Sequence, residues 1–409
     1  MSDSVQKKRL SIILTGGTIV MVDDIDKKTG QPVRRPPANP REFAGVLPQL
    51  FKKYAISVEN LMNQDSTDMQ PVDWQKIANA VRKQQNFDPA GIVVVHGVDT
   101  ICFSASAVSY ALGKDLQVPV VFTGAQVPYT KEYGDALINL IRSAEVATTD
   151  FSPAEVMILF NNKAFRATRA QKRDDKDFDA LSSPTHPPLI LVKDPLEQAN
   201  VLTRRQPNEN EKRKIEITSD SGQEFLDGII PIILSPGNLP RFYFDLLEGK
   251  GCTAIVLLSF GGTTIPTGAT DGREKRTSYD YLELIKKAKS KNVPVIIGSH
   301  YATKVTEKIY DSTQEAEDAG AISISGYVLP ALIAKLSMVL AKTRAITDVD
   351  IRLDVIKEAM GRSYVGEIDF NIGTYFFKKN IDEDIVDIVK EIREKRTACS
   401  ERKTDDAHS

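Results

Sequence analysis

Residues that bind metal or form crosslinks are scarce. Three cysteines, Cys102, Cys252 and Cys399, and four histidines, His96, His186, His300 and His408, are scattered over 409 residues. There is no CxxC pair, so a structural zinc site and a disulfide framework are both excluded as expectations. Charge of one sign is missing too. With 53 Lys+Arg against 55 Asp+Glu and a net charge of -2, there is no electrostatic footprint for nucleic acid or an anionic membrane. No apolar run reaches membrane-spanning length, and the opening MSDSVQKKRLSIILTGG is too short in apolar residues for a signal segment. A soluble, cytoplasmic protein acting on a small molecule is the expectation. Two nucleotide-binding signatures are absent as well, the GxxxxGK[ST] phosphate loop and a GxGxxG followed by an acidic residue.

What is present begins at Leu10–Met21, LSIILTGGTIVM. Leu10, Ile12, Ile13 and Leu14 read as a buried parallel strand, which stops at Gly16 and Gly17. The glycines permit a sharp turn and close approach to a ligand. Thr15 and Thr18 put hydroxyls at the carboxyl end of the strand, where open α/β sheets bind their ligands. Thr18 is therefore a candidate nucleophile, although TGGT taken alone is more often a simple turn.

The rest of the chain repeats the pattern. At this length two domains are the natural prior. Asp23 to Pro40 is charged and rich in Pro and Gly, predicting a long mobile loop. A helix from about Pro40 to Tyr54 and a strand at Ala55 to Leu61 follow. Next comes QDSTDM, where Ser66, Thr67 and Asp68 are expected to cap a helix starting near Pro71. Strands are predicted at Gly91–Val95, Pro119–Phe122 and Val156–Phe160, ending in HGVDT, TGAQ and NNKAFRATRAQKRD, with the helix SASAVSYAL after the first of these. Four such turns would converge on one crevice. Asp99 is either a helix cap or a site residue there, and Lys172 is either a solvated charge or a positioned amine.

Beyond Lys193 the chain turns polar up to Gln223. A second core then opens at Gly228–Leu234, with strands at Thr253–Phe260 and Pro294–Gly298 and helices at Tyr279–Ser290 and Leu329–Ala341, implying a small parallel sheet. The expected division is 1–195 for the first domain, 196–227 for a linker, 228–378 for the second domain and 379–409 for a charged helix and disordered tail. In that last segment Ile381, Ile385, Val386, Ile388, Val389 and Ile392 form a stripe for docking on the same chain.

TGGTI (15–19), DSTDM (65–69), HGVDT (96–100), TGAQ (123–126) and FNNKAFRATRAQK with DFDALSSP (160–184) together resemble the type I, cytosolic L-asparaginases. Each motif is weak singly; five in register are strong. The resemblance implies a doubly wound, mainly parallel α/β domain followed by a smaller α/β domain. It also implies homodimers or homotetramers, a small amino-acid amide as substrate, and no metal or organic cofactor. It makes Thr18 the acylated nucleophile, Ser66 the holder of the substrate α-carboxylate, Asp99 the partner of its α-amino group and Lys172 a support for proton transfer. Gly17, Ser66, Thr67, Gly97, Asp99 and Ala125 would surround the substrate.

The chain departs from that family at several positions. Val98 stands where a catalytic threonine is expected, keeping the shape and losing the hydroxyl. Gln31 replaces a lid tyrosine, Thr264 an asparagine that reaches a neighbouring subunit, and Pro330 a glutamate. GSHYATK occupies a strand where the family carries a regulatory site. Three accounts of Val98 stay open: an engineered isostere that stalls the acyl-enzyme, a natural ligand-binding relative with little turnover, or a Lys172 working through an ordered water on another substrate. The several other departures favour natural divergence.

Overall fold

In a computed structural model the chain divides into two compact units, Met1–Gly222 and Gln223–Ser409. The described residues are 6–17, 19, 22–35, 48–127, 133–199, 223–268, 277–301, 311–369 and 378–406.

In the first unit, five strands run parallel: β1 (Arg9–Leu14), β4 (Ala55–Asn60), β5 (Gly91–Val95), β6 (Val120–Thr123) and β7 (Val156–Phe160). Three antiparallel strands extend the sheet: β8 (Lys163–Arg166), β11 (Ile190–Leu191) and β12 (Glu197–Gln198). The order is β12-β11-β8-β7-β6-β5-β1-β4. The apolar runs GIVVV and VMILF are buried at every residue because helices cover both faces. Alternate residues divide between two cores. Ile13, Ile92, Val94, Val120, Phe122, Ile158 and Phe160 pack with helices α2 (Pro71–Gln85) and α3 (Ile101–Leu112). Leu10, Ile12, Leu14, Val93, Val95, Val121 and Leu159 pack with α1 (Pro48–Lys53) and α4 (Ala136–Thr148). The period-two alternation of a strand, applied to side chains apolar in both directions, thus yields the doubly wound arrangement.

Local structure departs from expectation in three places. Residues 22–35 are no featureless loop: β2 (Val22–Ile25) and β3 (Pro32–Arg35) pair as an antiparallel hairpin. The turn is tied by Asp26, whose Oδ1 accepts from the Lys28 and Thr29 amides. The expected helix start at Pro40 lies outside the described residues. Ser66, Thr67 and Asp68 do not cap α2; they form their own 3-10 turn with Asp65 as its cap. Gln70 instead begins α2 in a reciprocal capping box with Asp73, and Pro71 follows where its missing N–H costs nothing. Finally, the segment after Phe160 is not one turn. Asn161 and Asn162, with φ of 44° and 61°, reverse the chain into β8, and a 3-10 turn at Ala167–Arg169 then leads to the two-stranded pair β9 (Gln171–Lys172) and β10 (Leu181–Ser182).

The second unit has a parallel sheet in the order β13 (Ile229–Ile233), β14 (Ala254–Ser259), β15 (Val295–Ser299), β16 (Ile322–Ser323). Ile255, Leu257, Val295 and Ile297 bury against Leu284, Ile285 and Ala288 of α5 (Tyr281–Ser290). Helices α6 (Asp311–Asp318), α7 (Leu329–Thr343), α8 (Val349–Gly361) and α9 (Ile381–Asp406) complete it. The stripe Ile381, Ile385, Ile388 and Ile392 is buried as α9 packs on α8 and α7, while Val386 faces solvent. The tail is helical rather than disordered as far as Asp406, since no Pro or Gly interrupts it. Beneath lies a buried ion pair, Lys335 Nζ to Glu367 Oε1 at 2.7 Å. Asp384 of α9 is buried beside it, paired with Arg362 at 2.7 Å and accepting the Tyr364 hydroxyl. No helix among the described residues is long and apolar enough to cross a membrane.

Candidate active site

The site grows from the turns at the carboxyl ends of β1, β5 and β6. These turns approach so closely that glycine is required. Gly16 sits at φ 121°, and a Cβ there would lie 2.2 Å from Gln64 O; Gly17, at φ 88°, would meet Gly97 N at 2.8 Å. A Cβ on Gly97 would stand 2.5 Å from Ser66 Oγ, and one on Gly124 would stand 2.7 Å from His96 O. Backbone packed on backbone joins TGGT to Gln64 and to HGVD, and HGVD to TGA, while the Ser66 side chain presses DST against Gly97.

Above them is a cavity of about 510 Å³, lined by Gly17, Ser66, Gly97, Val98, Asp99 and Ala125 together with Asn63, Asp65, Gln126, Lys172 and Asp175. Most of the residues expected around a substrate thus share one cavity. Thr18 lies outside the described residues, between Gly17 on the cavity wall and buried Ile19. Thr67 does not border the cavity: its 3-10 turn buries Ser66 and points Thr67 outward, where its hydroxyl donates to Asp65 Oδ1 at 2.9 Å. Thr15 is also committed, its hydroxyl donating to Val95 O at 2.9 Å.

Lys172 is neither free nor solvated. Its Nζ lies 2.6 Å from Asp99 Oδ1 and 2.6 Å from Asp175 Oδ1, with the lysine side chain 20 % exposed. The β9–β10 pairing carries it back across the turns. Partial desolvation pulls the ammonium towards losing its proton. Bonds to Asp175 and Asp99 outweigh that and hold its pKa above the ordinary lysine value. Asp99 consequently serves the lysine, while Thr100 occupies the α3 cap position and gives its hydroxyl to Ser66 O at 2.6 Å. Val98 is buried, its side chain shared between the core under α3 and the cavity wall.

Behind the wall, His96 is fully buried, with Nδ1 2.8 Å from Gly97 O. A carbonyl only accepts, so Nδ1 carries the proton. Burial pushes the imidazole pKa down to about 4, and the ring is neutral. Burial also pushes the Cys102 thiol up to about 12, so it is no nucleophile. Asp65 is held below the usual carboxylate range by the Thr67 amide and hydroxyl. No group of three or more His, Cys, Asp or Glu able to hold a metal occurs among the described residues. Asp65, Asn63, Gln126 and Asp175 line the cavity without having stood out as candidates in the sequence. Asp65 and Gln126 at least fall within the DSTDM and TGAQ motifs, whereas Asp175 sits in a run of charges with no signal.

The family description "Asparaginase, N-terminal" matches residues 9–207, nearly the whole first unit. The first unit belongs to the asparaginase family. L-asparaginase 1 of Escherichia coli K12 is 26 % identical over 371 residues, 89 % of this chain and 98 % of that protein. A glutamyl-tRNA(Gln) amidotransferase subunit of Aeropyrum pernix is 28 % identical over 371 residues, 88 % of this chain and 80 % of that one. The crystal structure of L-asparaginase I from Vibrio cholerae superposes with a TM-score of 0.70 at 26 % identity, over 89 % of this chain and all of that one. This asparaginase-family protein accordingly has the family's mixed α/β fold and is an amidohydrolase by family.

Proposed function

We propose that the protein hydrolyses the side-chain amide of a small amino-acid amide, L-asparagine in the first instance, to the acid and ammonia. The Thr18 oxygen adds to the amide carbon, the C–N bond breaks, and the leaving nitrogen takes a proton. Water then cleaves the threonyl ester. A threonine hydroxyl attacks poorly until its proton is removed, and backbone N–H groups at the turns can stabilise the oxyanion. Ser66 would take the α-carboxylate and Asp99 the α-ammonium group.

The observation that carries this reading is the Lys172–Asp99 pair at a cavity bordered by Gly17, the residue before Thr18. Two features make turnover slow. Val98 offers no hydroxyl to relay a proton, and Lys172 stays an ammonium while both carboxylates hold it. The same two features favour a second reading, a catalytically weak amino-acid sensor or assembly subunit, for which the likeness to an amidotransferase subunit is the counterpart. In either reading the protein works in the cytoplasm as a homodimer or homotetramer.

Incubation with asparagine followed by intact mass measurement separates them. An aspartyl adduct on Thr18, or ammonia in stoichiometric excess, is the result expected of the amidase. Binding with neither product overturns it in favour of the sensor.

A further inference from the structure

The cavity has an electrostatic peculiarity that the proposed reaction does not use. Among the described residues lining it are three carboxylates, Asp65, Asp99 and Asp175, and one cation, Lys172. That cation is satisfied twice over, at 2.6 Å from Asp99 and 2.6 Å from Asp175. Arg173, next along the chain, turns away to Asp179, 2.9 Å from its Nη2. Asp175 arrives because Asp174 folds the loop back on itself, its Oδ1 accepting from the Lys176 and Asp177 amides at 2.7 and 2.8 Å. The Asp175 side chain is 87 % exposed, so it stands at the rim, facing whatever enters.

We propose that Asp175 is a specificity residue that turns this site away from free amino-acid amides and towards amides whose neighbouring carboxyl group is masked, as in an α-ester or the first residue of a peptide. The inference rests on the amidase reading. A zwitterionic amino acid gains from its ammonium group in this field and loses through its carboxylate; a masked substrate only gains. Without Asp175, Lys172 would keep a free donor face towards the cavity that could receive a carboxylate. With it, that face is closed by an internal one.

The test compares kcat/KM for ammonia release from L-asparagine, asparagine α-methyl ester and asparaginyl-alanine, using the full chain and its Asp175→Asn and Asp175→Ala variants. Calorimetric titration with the same three compounds reads binding apart from turnover. The wild-type protein should favour the ester over the free amino acid by about tenfold or more. Both variants should shrink that ratio several-fold, chiefly by improving free asparagine. The isosteric asparagine keeps the loop's shape, so agreement between the two variants separates charge from folding. An unchanged ratio in Asp175→Asn, or a wild-type preference for free asparagine, overturns the inference while leaving the amidase reading intact. Ammonia from none of the compounds with folded protein removes the amidase reading and the inference with it.

Discussion

Lys172 and Asp99 lie 73 positions apart, yet the lysine Nζ and the aspartate Oδ1 meet at 2.6 Å over the turns that end β1, β5 and β6. Asp99 is 52 % exposed and Lys172 20 %, so the pair is only partly desolvated and its meaning is chemical rather than structural.

Lys172→Met therefore serves as a separation of roles. Removing a pair open to water on its Asp99 side should change stability by about 1 kcal/mol. Ammonia release should fall by about 10²-fold or more, because proton transfer loses its positioned amine. Chemical denaturation beside an ammonia assay reads both; a large stability loss with activity retained contradicts the assignment.

Val98→Thr restores a hydroxyl at the cavity wall. A missing group of this kind costs about 2–4 kcal/mol of transition-state stabilisation, so the variant should release ammonia roughly 10²-fold faster. The new hydroxyl would lie partly in the core under α3, and a loss of about 1 kcal/mol in stability is expected alongside. No gain in rate would shift the cause of slow turnover to the clamped lysine.

Gly97→Ala tests the packing of the turns. Its new methyl would stand 2.5 Å from Ser66 Oγ, and overpacking of that sort costs about 1–3 kcal/mol. Pairing it with Ser66→Gly should recover most of the loss in a double-mutant cycle. Additive losses would show that the two turns do not press on each other.

His96 predicts an acid dependence. Its folded pKa of about 4 lies below the ordinary 6.5, so between those values the unfolded chain binds a proton that the folded one does not. Stability is fully present above pH 6.5 and falls as the pH drops towards 4, by about 3 kcal/mol in all. Urea titrations at pH 7 and pH 5 should show the decline, and His96→Asn should flatten it. A slope unaltered by that change assigns the effect elsewhere.

Much of the fold is legible in the residues. Strands such as GIVVV and VMILF announce themselves because a sheet covered on both faces needs apolar residues without alternation. The turns that build the cavity floor are visible as glycine beside small polar residues. The β2–β3 hairpin is not, because VDDI and PVRR carry no apolar alternation. The helical tail escapes for a related reason: its last turns have neither an apolar stripe nor a breaker. Asp175 cannot be picked from the run Arg173–Asp177, since which of its charges reaches back to Lys172 is decided by the Asp174 turn. Nor can sequence show that Thr67 faces outward while Ser66 faces in, a choice made by one turn of 3-10 helix.

The glycine contacts beneath the cavity carry a consequence for how such a protein changes over time. Where main chain rests on main chain at Gly16, Gly17 and Gly124, even a single added carbon collides, so that ground is closed to gradual substitution. New preferences have to be acquired overhead, on the loop bearing Asp175, where one residue can be exchanged for another without moving the foundations.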